Sequence, residues 1–195
     1  MDVFKISVKL FVENDDFAPS EFVPVFHRWI QDSVLDDHLM IDVADYAHVP
    51  AGPGSLLVTH EANIHMDRVD NRLGLLYVRK TSSGDTFTDR LRTVIANTLK
   101  AASKMEQEPH LEGRLIFCTN ELQIRIHDRL NAPATPATFN AVKADLEKVV
   151  GELYGAGKAK VEYVDAPKQM FTVKVTSSTS PSVVDLLAKV APVNA

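Results

Sequence analysis

HVPAGPGSLLVTHEANIHMDRVDNRLGLLYVR, residues 48–79, holds the tightest glycine and proline punctuation in the chain, three of its seven histidines and two apolar runs of strand character. Pro50, Gly52, Pro53 and Gly54 predict a stiff loop. Residues 55–67 read as extended, with a bulge or turn near His60 and Glu61. Residues 68–71 carry hairpin-turn chemistry, and residues 73–79 return as a strand.

Outward from this stretch, both periodicities appear. Residues 4–12 alternate strictly: Phe4, Ile6, Val8, Leu10 and Val12 against Lys5, Ser7, Lys9 and Phe11, the pattern of a half-buried strand. Asn14, Asp15 and Asp16 break it. Ser20 is placed to cap a helix whose face is Phe22, Val25, Phe26, Trp29 and Ile30, with Pro24 in its first turn. A short strand is expected at 39–43. Thr86 and Asp89 form a capping pair ahead of a helix carrying Phe87, Leu91, Val94, Ile95, Thr98, Ala102 and Met105. Residues 114–118 and 122–127 read as two strands. Thr135 followed by Pro136 opens a helix with an apolar stripe from Phe139 to Leu153, closed by Gly155. Two strands follow, at 160–164 and 170–176. Ser180 followed by Pro181 repeats the cap-proline device before a last helix.

The resulting order, β-α-β-β-β-α-β-β-α-β-β-α, predicts an α+β fold: a mixed, mostly antiparallel sheet or sheets with about four helices on one face. The chain reads as one compact unit over 1–195. Residues 56–71 (LLVTHEANIHMDRVDN) echo 116–131 (IFCTNELQIRIHDRLN), matching Thr59 to Thr119, Glu61 to Glu121, Ile64 to Ile124 and Asn71 to Asn131. That echo suggests pseudo-repeat halves, 1–119 and 120–195, each a split β-α-β (ferredoxin-like) unit. A single continuous sheet covered by four helices is the alternative.

Composition narrows the function classes. The 195 residues are 45% hydrophobic and 24% charged, enough to bury a sizeable core. The net charge of −5 gives no global drive towards nucleic acid or anionic membrane. A single cysteine, Cys118, allows no internal disulfide and fits a reducing, cytoplasmic setting. The first residues lack the basic start of a signal peptide, and no apolar run approaches the ~20 residues of a membrane helix.

Candidate chemistry is sparse. His60, Glu61 and His65 invite a metal or general-base reading, but two histidines five apart face opposite sides of a regular strand. The echo replaces both with Asn120 and Arg125 while keeping Thr and Glu, which points to a turn. His38, Asp42, Asp45 and His48 match no ligand spacing. The Gly/Pro loop runs into a strand, not a helix, so it lacks the usual phosphate cradle. Arg79, Lys80 and Ser82, with Thr81, Ser83 and Thr86 at a helix start, form the best local anion candidate. Cys118 reads as a packing residue. No nucleophile elbow, dinucleotide fingerprint or phosphate loop occurs. No cofactor is expected. Strand phase also places Lys5, Ser7, Lys9, Asn63, His65, Gln123, Arg125, His127, Thr172 and Lys174 on one polar sheet face.

Two functions follow. The first is a non-catalytic binding protein that uses this open face for a partner or for its own copy, as a homodimer. The second is a small-ligand or metal-dependent enzyme sited around His60, Glu61, His65 and the 79–86 loop. A small anionic ligand fits either; nucleic acid and membrane partners do not.

Overall fold

The computed structural model describes residues 2–13, 16–49, 52–111, 113–166 and 169–190. The alternation at the N-terminus becomes β1 (Ile6–Val12), and the apolar helical face after it becomes α1 (Val23–Gln31), entered through a 3-10 turn at Pro19–Phe22. Four strands follow: β2 (Met40–Tyr46), β3 (Gly54–Thr59), β4 (Ala62–Asp67) and β5 (Gly74–Arg79). Then come α2 (Phe87–Glu106), β6 (Phe117–Ile126), α3 (Pro136–Tyr154), β7 (Ala159–Tyr163), β8 (Phe171–Ser177) and α4 (Val183–Val190). The break read at Asn14 and Asp15, and Pro50 of the stiff loop, lie outside the described residues.

All eight strands join one sheet in the order β2-β3-β4-β5-β1-β6-β8-β7, with every neighbouring pair antiparallel. This is the single-sheet α+β alternative. The helices make parallel crossovers: β5-α2-β6 straddles β1, and β6-α3-β7 straddles β8. These two split β-α-β units share β6, and the 119/120 boundary falls inside that strand. The echo blocks follow different paths: 56–71 covers β3, β4 and their turn, while 116–131 is mostly β6.

All four helices lie on one face. Val25, Phe26 and Trp29 of α1, Leu91 and Ile95 of α2, Val142 and Leu146 of α3, and Leu186 of α4 join one cluster with Ile6, Val8, Leu10, Ile64, Tyr77, Ile124 and Val173 of the strands. No helix among the described residues is long and apolar enough to cross a membrane.

Three local expectations change. The strands expected at 114–118 and 122–127 are one, because a register shift opposite Leu10–Val12 absorbs the polar Thr119–Glu121 segment as a bulge. The last helix is capped by Ser182, not Ser180: Ser182 Oγ accepts from the Asp185 amide at 3.1 Å, while the Asp185 carboxylate accepts from the Ser182 amide at 3.3 Å. Finally, β1 is buried on both sides. Ser7 and Lys9 are 0% exposed and Phe11 3%, although all three point away from the helices. The β4–β5 connection causes this by folding over the sheet. Lys9 Nζ donates to Val69 O at 2.7 Å and Arg72 O at 3.1 Å, and the Arg72 guanidinium stacks 4.0 Å above the Phe11 ring.

Candidate functional site

Strand registers place Ser7, Lys9, Asn63, His65, Gln123, Arg125, Thr172 and Lys174 on the sheet face opposite the helices. That face is less open than strand phase implies. Leu56, Leu76 and Val78 are 9% exposed and fill its centre. His127 Nε2 lies 2.8 Å from Ser7 Oγ, and burial beside Lys5, Arg125 and His65 pushes its pKa down to about 4. Arg125 is half-buried near the end of β6.

His60 and His65 belong to different surroundings. His60 is exposed in the β3–β4 turn. His65 is buried on the open face, with Nδ1 3.4 Å from Pro53 O, and burial pushes its pKa down. Glu61 serves backbone: its carboxylate accepts the Leu39 amide at 2.9 Å. The turn itself is clamped by Thr59, whose hydroxyl accepts the Ala62 amide at 2.9 Å and lies 3.0 Å from Ala62 O. Among the described residues no group of three or more His, Cys, Asp or Glu side chains is placed to hold a metal ion. Asp42 and Asp45 accept the amides of Val43 and Ala47, each at 2.8 Å, so the His38–His48 cluster also disperses into local turns. Cys118 is only half-buried, and its thiol is pushed up by burial and by Glu13.

The 79–86 loop does not converge either. Lys80 Nζ donates to Thr59 O, and Ser82 is exposed. Thr86 and Asp89 satisfy each other as the α2 cap: Thr86 Oγ1 accepts the Asp89 amide at 3.1 Å and donates to the carboxylate at 2.6 Å. Arg79 alone turns elsewhere, and it leads to the site.

Tyr77 sits in the middle of β5 with its side chain towards the helices and fully buried. Its hydroxyl meets three groups: His38 Nε2 at 2.8 Å, Asn97 Nδ2 at 3.1 Å and Arg79 Nη1 at 3.3 Å. Asn97 Nδ2 and Arg79 Nη1 are both donors, and together they fill both lone pairs of the phenol oxygen. The phenol hydrogen is therefore directed to His38 Nε2, which accepts it. His38 Nδ1 carries the ring hydrogen and donates to Asp37 Oδ1 at 2.8 Å. Hydrogen-bond accounting thus fixes one tautomer for a chain running from Tyr77 through His38 to Asp37. The His38 bond, followed by that of Lys100, holds the Asp37 carboxyl well below the usual range against the opposing effect of burial. Burial raises the Tyr77 pKa.

Beside this network lies a groove of about 870 Å³ along α2, walled by Leu187 and Val190 of α4 and by Asp37 and Arg79. The α2 side presents Asp89, Arg92, Ala96, Asn97, Lys100 and Lys104, one helical face. Its charges divide cleanly. Arg92 pairs with Asp89 at 2.9 Å and Glu152 at 3.0 Å. Lys100 pairs with Asp36 at 2.5 Å and Asp37 at 2.9 Å. Among the described residues Arg79 bonds the neutral Tyr77 hydroxyl and Thr81 O and forms no ion pair, so it brings an unpaired guanidinium charge to the groove.

Nothing in the local sequence marks His38, Tyr77 and Asn97 as a group. Tyr77 within GLLYVR and Asn97 beside the buried stripe of α2 were the available signals: polar atoms at positions that a core would otherwise fill. No family model matches this chain, and comparison with curated proteins and with solved structures gives no match.

Proposed function

We propose that this chain is a non-catalytic binding protein whose ligand is a small organic anion held in the groove along α2. One observation carries the reading: Arg79 faces a cavity of ligand size while its charge is matched by no carboxylate among the described residues. A carboxylate at Arg79 gains charge-assisted hydrogen bonds. The Tyr77 hydroxyl and Thr81 O hold the guanidinium before the ligand arrives, which lowers the ordering cost of binding. Ala96, Leu187 and Val190 offer an apolar surface to the remainder of the ligand.

Titration calorimetry with octanoate tests this. Binding is expected, and Arg79→Gln is expected to weaken it by roughly tenfold or more, the scale of one charged hydrogen bond. Octanoate binding that Arg79→Gln leaves unchanged would remove the groove as its seat.

Self-association through the sheet face is a second reading. Among the described residues Asn63 Oδ1 and Gln123 Oε1 lie on that face without a hydrogen-bond partner, and a second copy can supply one once these side chains turn outward. The mass in solution of the wild type and of Arg125→Glu tests it; a monomer at all concentrations ends this reading.

A further inference from the structure

The charges of the groove narrow the class of ligand further, given that the ligand binds there. Four cations line the cavity, and two of them, Arg92 and Lys100, are neutralised by carboxylates. Arg79 is one of the remaining two. The other is Lys104, exposed and without an ion pair among the described residues. Its place in the last turn of α2 suits the helix dipole, but the dipole does not require it to face the groove.

Arg79 stands level with Asn97, since both bond the same phenol oxygen. Lys104 is seven residues further along the helix, on the same side, a rise of roughly 10 Å. Around them the groove is lined by Ala96, Leu187 and Val190, by Ser103, and by Lys100 and Asp37, which are paired with each other. Two unmatched positive ends separated by a largely apolar span describe the complement of a particular ligand.

We infer that the ligand is an α,ω-dianion, an extended chain with an anionic group at each end, the first on Arg79 and the second on Lys104. A single anionic group leaves the Lys104 end unmatched. A longer apolar monoanion gains contact area but no second ion pair. A second carboxylate that met no cation would instead weaken binding, because it must shed water without replacement.

The probes are octanoate and suberate, which share a chain length and differ in the second carboxylate. Suberate is expected to bind the intact protein up to about fivefold more tightly than octanoate, through the added contact with the exposed Lys104. Lys104→Met is expected to bring suberate to within about twofold of octanoate, each measured on that variant. Lys104 is exposed, so this substitution leaves the core intact. If octanoate does not bind, or binds independently of Arg79, the groove reading fails and this inference fails with it. If octanoate binds through Arg79 but suberate is no tighter, or keeps its advantage in Lys104→Met, the dianion inference alone is overturned.

Discussion

Lys9 and Asp67 form an ion pair of 2.6 Å in which each side chain is 1% exposed. It lies on the sheet face that no helix covers, at the centre of the strand order. The pair is closed by the β4–β5 connection, whose carbonyls at Val69 and Arg72 take the other lysine hydrogens. Asp67 in turn accepts the Val69 amide at 3.0 Å. A lysine that alternation alone would leave in water is thereby desolvated and fully satisfied.

Removing one partner of such a pair strands a buried charge. Lys9→Met is expected to lower the unfolding free energy by about 3–5 kcal/mol, and Asp67→Asn by a similar amount. Urea denaturation of each variant measures this. Losses below about 1 kcal/mol would mean that the charges reach water.

The Tyr77 hydroxyl is the shared partner of His38, Asn97 and Arg79. Tyr77→Phe keeps the ring packing and deprives three polar groups at once, so a loss of about 1–3 kcal/mol is expected. The same variant should bind octanoate more weakly, because Arg79 loses the contact that orients it. Normal stability together with normal binding would contradict the hydrogen-bond accounting.

His127 sets an acid limit. Unfolded, the imidazole protonates near 6.5; in the fold it does so at about 4. Between these values the unfolded chain binds more protons, so stability is complete above pH 6.5 and falls as pH drops towards 4, by up to roughly 3 kcal/mol. His65, shifted downwards by burial, adds a loss of the same sign. His127→Gln, which can still bond Ser7, should flatten this part of the stability curve; a curve of unchanged slope would assign the acid sensitivity elsewhere.

Gly54 begins β3 at φ 65°, and a Cβ there would lie 2.0 Å from Met66 O on the neighbouring strand. Gly54→Ala therefore meets both left-handed strain and a backbone clash, with an expected cost of at least ~2 kcal/mol. A thermal melt of the variant checks it. A melting temperature equal to the wild type's would show that β3 and β4 separate without penalty. The glycine of this loop is thus a strand-spacing device, consistent with a stiff turn and not an anion cradle.

Much of the local architecture is legible in particular residues. The alternation of Ile6, Val8, Leu10 and Val12 becomes β1, Thr86 with Asp89 becomes the α2 cap, and Gly155 ends α3 at φ 95°. Thr59 and Glu61 are turn residues, as their recurrence without histidine implies. The histidines at 60 and 65 are not brought together: His60 is exposed in the β3–β4 turn, and His65 is buried on the open face of β4. Of the three candidates in the anion loop, Arg79 lines the groove along α2, whereas Lys80 and Ser82 point to backbone and to solvent.

The sequence by itself determined an α+β chain with helices on one face of an antiparallel sheet, since periods of 2 and 3.6 are local properties of the chain. Only the tertiary structure decided that β1 lies between β5 and β6, that its outward side is also sealed, and that His38, Tyr77, Arg79 and Asn97 meet. The reason is physical: periodicity states which side chains share a face. It carries no information on which distant segment will cover that face, because such contacts are made between residues up to 120 positions apart, as Ser7 and His127 are.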